Sequence, residues 1–224
     1  MTDFEPLAWV KQLFGSSVPP SHLIIICLGS YLLGCVSTGY YLVRIRLQQD
    51  LRGLGSGSTG AKNVGRFMGK GGYLLTLICD IGKGALAVWL VQYVTDDPRL
   101  AGLAMLSVVM GHIWPIQLAF HGGKGMATSL GAMLLFDVRL TFLSIGVLLG
   151  LLCLLRRTVL SGLIAFTLVP LLAKLVLERE TWEVTALSLL AGMVLVAHRK
   201  NLIDEIAHLA RRRSVEPDPD ESFK

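Results

Sequence analysis

Residues 22–43 read HLIIICLGSYLLGCVSTGYYLV, twenty-two positions without one Asp, Glu, Lys or Arg. A helix crosses a hydrocarbon core about 30 Å thick with about 20 apolar residues. This stretch is therefore read as a membrane span. The residues before it do not convert it into a cleaved leader. Met1 to Ser21 carries Asp3, Glu5, a single Lys11 and Pro19-Pro20, and lacks a basic start and a small-residue cleavage site. Residues 1–21 are expected to form an extracytoplasmic segment, and 22–198 the membrane domain.

Working outward, six more apolar runs follow, at about 73–94, 100–120, 126–136, 140–155, 160–177 and 184–197. The run at 126–136 is too short for a full crossing on the usual ruler. It is a short tilted helix, a re-entrant piece, or one long helix with the next run. The predicted fold is an all-α, polytopic membrane helical bundle of about seven transmembrane helices, with six as the alternative. Composition agrees. Of 224 residues, 53% are hydrophobic and 17% charged, against about 25% charged in a soluble domain, and mean hydropathy is +0.60. These proportions exclude a soluble domain, a disordered chain and a disulfide scaffold. Cys27, Cys35, Cys79 and Cys153 all sit in apolar stretches with no CxxC pair, so neither a metal site nor a redox motif is expected. The tail, 199–224, is read as cytoplasmic and as disordered from about 214, where prolines and acids dominate.

The net charge of +5 would fit nucleic acid, but basic loops on the cytoplasmic side explain it better in a membrane protein. With the N-terminus outside, the inside segments 44–72, 121–125, 156–159 and 198–224 hold six, one, two and six Lys/Arg. The outside segments hold one, one, one and two, and Lys83 lies within a span. The threefold bias predicts N-terminus outside and C-terminus cytoplasmic. It also favours an odd number of crossings.

Four constellations carry chemistry. In the loop 50–66, Gly55, Gly57 and Gly60 spell GxGxxG with Asp80 twenty residues on. No strand precedes them and Asp80 lies in a span, so a dinucleotide fold is rejected. What remains is a glycine loop whose backbone N–H groups approach an anion, with Ser, Lys and Arg as further donors; the competing reading is a flexible loop. The second constellation runs from Gly111-His112 through Gly122-Gly123-Lys124-Gly125 to Thr128. Small residues around Lys124 favour a bound anion over a simple topology charge. No GKS or GKT follows, so a nucleotide-triphosphate loop is disfavoured. Third, Asp80 and Lys83 stand three apart inside a span, an arrangement that self-neutralises and is expected to face the bundle interior. Fourth, His198-Arg199-Lys200-Asn201 follows the last run. All four fall on one predicted side, at helix ends. A glycine- and cation-rich pocket of this kind suits a phosphorylated substrate beside a lipid-like one. No HxxxxD motif offers a His–Asp base for an acceptor hydroxyl.

From Tyr31 to Asn201 the chain resembles the bacterial acyl-phosphate:glycerol-3-phosphate acyltransferase family of integral membrane proteins. The resemblance rests on Tyr31 to Gly34, Thr38-Gly39-Tyr40, Asp50-Leu51-Arg52 and the Gly-Ser-Gly loop. Asp80, Lys83-Gly84, the GGKG block and His198-Arg199-Lys200-Asn201 complete it. It implies a seven-helix bundle in the bacterial cell inner membrane with its site facing the cytoplasm. The implied reaction moves a fatty acyl group from acyl phosphate to the first hydroxyl of glycerol 3-phosphate. Lysophosphatidic acid and phosphate result, with no cofactor, no metal and no nucleic acid. Phosphate-binding roles are implied for Ser56, Arg66, Lys124, His198 and Asn201. Gly57, Asn63, His112, Gly123, Gly125 and Ser161 complete the expected substrate-binding set, with Asp80 and Lys83 as structural charges. No protein nucleophile is implied, because the donor's phosphate takes the acceptor proton. Several positions depart from the family pattern, among them Asp204-Glu205 and Ala207 to Ala210, where an Arg-Leu and a later Gly and Glu are usual. Ser58 and Lys62 replace an Asn and a Thr, and Ser161 stands about one position from the expected serine. The rival readings are a divergent relative with another phosphorylated acceptor and an organic-anion transporter built on glycine-broken helices. The missing internal repeat and the one-sided cations count against transport.

Overall fold

The computed structural model describes residues 19–203 and residue 207. Among them the chain forms eight α-helices and two short 3-10 turns, and no strand. The helices are α1 (Pro20–Cys35), α2 (Thr38–Leu47), α3 (Ala61–Val94) and α4 (Pro98–Ile113). They continue as α5 (Met126–Phe136), α6 (Val138–Leu155), α7 (Thr158–Leu175) and α8 (Thr181–Ala197). Five segments are long and apolar enough to cross a membrane: 21–47, 61–94, 98–118, 138–155 and 158–175. α5 and α8 are shorter apolar helices. The expected N-terminal segment and the tail from 204 on, including the stretch from about 214, lie outside the described residues apart from 207.

One expectation about the runs changes, and the alternatives for another narrow to one. The opening stretch is not one helix. It breaks at Val36 and Ser37, where α1 ends and α2 begins. A break frees backbone carbonyls that find no water in hydrocarbon and cost several kcal/mol each if left bare. Both are taken by distant side chains. Lys83 Nζ donates to Val36 O at 2.8 Å, and Gln117 Nε2 donates to Cys35 O. The run at 126–136 is likewise a helix of its own. Asp137 ends α5 in an extended conformation and caps α6 by accepting from the Leu140 N–H at 3.0 Å.

α3 is longer than the apolar run that announced it. Its 34 residues would reach about 51 Å if straight, well beyond the hydrocarbon core. The helix breaks at Gly69 (φ 67°, ψ −162°), a backbone region open in practice only to glycine. The first piece carries Lys62, Asn63 and Arg66, and the second is the span that carries Asp80 and Lys83.

Two helix pairs build the interior through small residues. α1 meets α4 where Gly34 lies on the Val108 carbonyl and Gly111 on the Tyr31 carbonyl. α3 meets α5 where Gly84 lies on Thr128 and Gly131 on Ile81. A side chain at any of the four would overlap the facing backbone. Such close approach replaces the hydrophobic driving force that helices lack in lipid. α4 is the central helix, with Met105, Val108 and Val109 against Ala132 of α5 and Leu187 and Leu190 of α8. α6 is peripheral and packs mainly on α7.

Candidate active site

The loop after α2 is held in shape before any ligand arrives. Asp50 caps a 3-10 turn, accepting the Arg52 N–H at 2.9 Å. The Arg52 guanidinium donates to the same carboxylate and to Leu118 O at 3.1 Å, and lies over the Tyr40 ring. That hydrogen-bonded guanidinium pulls the Asp50 carboxyl down to about 2. Further on, Asn63 closes the glycine loop on itself. Its Oδ1 accepts from Ser56 N at 3.0 Å, and its amide donates to Leu54 O and Ser58 O at 2.9 Å each. Both amide hydrogens are spent on backbone. Asn63 therefore acts as the clamp of the loop.

The second glycine block is stitched to the end of α4. Gly122 N donates to Ile113 O and Gly123 N to His112 O, while Gly122 O accepts from Thr59 N at 3.2 Å. The two glycine loops are thus joined by backbone. The His112 ring is wedged between Gly123 and Asp80, its Nδ1 3.4 Å from Asp80 Oδ1. Asp80 also pairs with Lys83 at 2.9 Å, both side chains being almost wholly buried. The intramembrane pair faces the interior as the sequence indicated. Its third and fourth partners, His112 and the Val36 carbonyl, were not foreseen. A Cβ on Gly123 would land on the His112 ring. Gly123→Ala is therefore expected to displace the ring from Asp80 and to lose most activity. Turnover near that of the unaltered protein would show that the turn relaxes around the added methyl.

These elements enclose a cavity of about 730 Å³ with two unlike ends. Ser56, Ser58, Lys62, Asn63, Arg66, Lys124, His198 and Asn201 line one end. Leu77, Leu130, Met133, Ile145, Leu148, Phe166 and Val169 line the other, with Thr141 and Ser144 among them. Lys124 Nζ donates to Asn201 Oδ1, joining the GGKG turn to the segment after α8. His198 Nδ1 lies 2.9 Å from Val194 O. A carbonyl only accepts, so Nδ1 carries the proton and Nε2 is left as the other ring position. Burial, reinforced by the Lys124 charge, holds the His198 imidazole below its ordinary pKa, so it rests neutral.

Of the expected set, Ser56, Asn63, Arg66, His112, Lys124, Gly125, His198, Asn201 and the buried Asp80 line this one cavity. Gly57, Gly123, Ser161 and Lys83 do not. Gly57 turns the loop at φ 71°, Gly123 backs the His112 ring, and Lys83 holds the break in the first span. Ser161 is fully buried with its hydroxyl unpartnered. The lining residues of α7 are Thr158, Val159, Gly162, Ala165, Phe166 and Val169. At 3.6 residues per turn Ser161 falls about a quarter-turn off that face. The hydroxyl α7 offers to the cavity is Thr158. The sequence hinted at Lys62 as a departure beside the site. The apolar wall was missed, because it is assembled from single faces of α5, α6 and α7, whose largely apolar sequences mark out no one face.

The comparisons agree with this geometry. The family model described as glycerol-3-phosphate acyltransferase matches residues 24–208. Glycerol-3-phosphate acyltransferase 1 of Desulfitobacterium hafniense (strain Y51) is 44% identical over 190 residues, 85% of this chain and 94% of that protein. A glycerol-3-phosphate acyltransferase of Prochlorococcus marinus (strain MIT 9215) is 38% identical over 180 residues, 80% of this chain and 91% of that one. Among solved structures, PlsY (YgiH), an integral membrane glycerol 3-phosphate acyltransferase, matches in its glycerol 3-phosphate form. The TM-score is 0.76 at 26% identity, covering 83% of this chain and 92% of that one. Its lysophosphatidic acid form matches with a TM-score of 0.74 at 25% identity over the same shares. An all-helical membrane bundle, two glycine loops joined by backbone, a cavity cationic at one end and apolar along its length, and these matches lead to one conclusion: the chain belongs to the glycerol-3-phosphate acyltransferase family.

Proposed function

We infer that this cavity transfers a fatty acyl group from acyl phosphate to the first hydroxyl of glycerol 3-phosphate. The observation that carries the reading is the continuity of a cationic end with an apolar arm. Two phosphates fit the first and a fatty chain the second. In the step itself, the glycerol hydroxyl oxygen bonds to the acyl carbon and the bond from that carbon to the phosphate oxygen breaks. The hydroxyl proton leaves on the departing phosphate, and lysophosphatidic acid and inorganic phosphate are released.

Roles follow from position. Lys124, steadied by Asn201, and Arg66 with Ser56 hold the two phosphates and offset the charge that grows on the leaving group. Holding the hydroxyl against the acyl carbon supplies much of the acceleration. His198, with Nδ1 donating to Val194 O, presents a bare Nε2 to the cationic end, where it accepts from a protonated phosphate oxygen. Ser58 and Lys62 bear on how the acceptor sits. In the bilayer the basic ends face the cytoplasm, the chain crosses seven times, and the N-terminus is outside, in a bacterial inner membrane.

Purified protein given acyl phosphate and glycerol 3-phosphate is expected to form lysophosphatidic acid and phosphate in equal amounts. Phosphate release without lysophosphatidic acid would replace glycerol 3-phosphate by another acceptor. Absence of turnover with either would overturn the acyltransferase reading in favour of anion transport.

A further inference from the structure

We propose that the depth of the apolar arm, fixed by the short helix α5 and the turn at Asp137, measures the acyl chain. The inference rests on the acyltransferase reading and adds a specificity determinant to it. α5 and α6 meet at a shared residue, since Asp137 ends one and caps the other, and both line the cavity. α6 packs along α7 but only sparsely on α5. The two helices therefore diverge from Asp137 toward the cationic end, and the arm is the space between them.

The apex of that wedge is sealed. Asp137 Oδ2 accepts from Arg179 Nε and from its terminal nitrogen, each at 2.8 Å. Thr141 Oγ1 donates to Asp137 O at 2.8 Å. Met133, Thr141 and Val169 form the floor just inside it, all buried. A chain terminus pushed past them would meet a bound carboxylate and a guanidinium, whose burial against hydrocarbon is costly. The depth is set by helix rise. The eleven residues of α5 span about 16 Å, as does the step from Thr158 to Val169 along α7. Lateral contact with lipid does not lengthen this path, because the floor lies at its end.

The test is a ladder of saturated acyl phosphates of increasing length, assayed with unaltered protein and with floor variants. Val169→Phe raises the floor. It is expected to lower kcat/KM for the longest chains by roughly fourfold per methylene left unburied, while the shortest chains keep their rate. Val169→Ala and Met133→Ala lower the floor and are expected to shift preference toward longer chains. They carry the test should Val169→Phe not fold. Leu149→Phe, on the lipid-facing side of α6, is expected to leave the profile unchanged. Active Val169 and Met133 variants with the unaltered length profile would overturn the ruler and leave the reaction standing. No turnover by the unaltered protein at any length would remove the reaction itself.

Discussion

Lys124→Ala is expected to lower kcat/KM by about thirty- to a hundred-and-fifty-fold. Lys124 reaches the cavity from the turn between α4 and α5 and meets Asn201 from the other end of the chain. Truncating a charge that pairs with phosphate in a desolvated site costs about 2–5 kcal/mol. Lys124 is half-buried, so the lower part of that range applies. Initial rates over a glycerol 3-phosphate series test this. A rate within a few-fold of the unaltered protein would mean that the phosphates bind elsewhere.

The largest stability effect is expected at Asp80. Asp80→Ala leaves Lys83 buried opposite His112 without its anion. Breaking a buried pair from one side costs about 3–5 kcal/mol, a large fraction of the roughly 5–15 kcal/mol that stabilises a domain. Little monodisperse protein should be recovered in detergent. Lys83→Met is expected to fail for two reasons at once, because it strands Asp80 and bares the Val36 carbonyl. The double variant Asp80→Asn with Lys83→Met should recover part of the yield, since no unpaired charge remains. If Asp80→Ala alone gives normal yield and melting, the pair is dispensable and the break in the first span is held by something else.

Much of the fold was legible because hydrophobic length is a strong signal in a membrane chain. Each of the seven apolar runs became helix. The breaks were harder to read. Nothing in the sequence around Val36 interrupts the apolar pattern, and its partner Lys83 is 47 residues away. Gly69 is one glycine among several, and only its positive φ marks it as the hinge of α3. In the site, Lys124 stood out as a cation among glycines at a helix end, and the structure brings it to Asn201. Asn63 was legible as important but not as a clamp, since its three backbone partners lie within nine residues and depend on the fold of the loop. Ser161 is a different case: a position counted along the chain carries no helical rotation, and the lining face of α7 passes through Thr158 and Gly162.

The break at Val36 also bears on how the protein is made. The carbonyls of Cys35 and Val36 receive their hydrogen bonds from residues 117 and 83, which are synthesised long after the first span has left the ribosome. Until Lys83 and then Gln117 emerge, that span cannot settle in hydrocarbon as a finished unit. Its membrane insertion is a provisional state, completed only when more than half of the polypeptide exists.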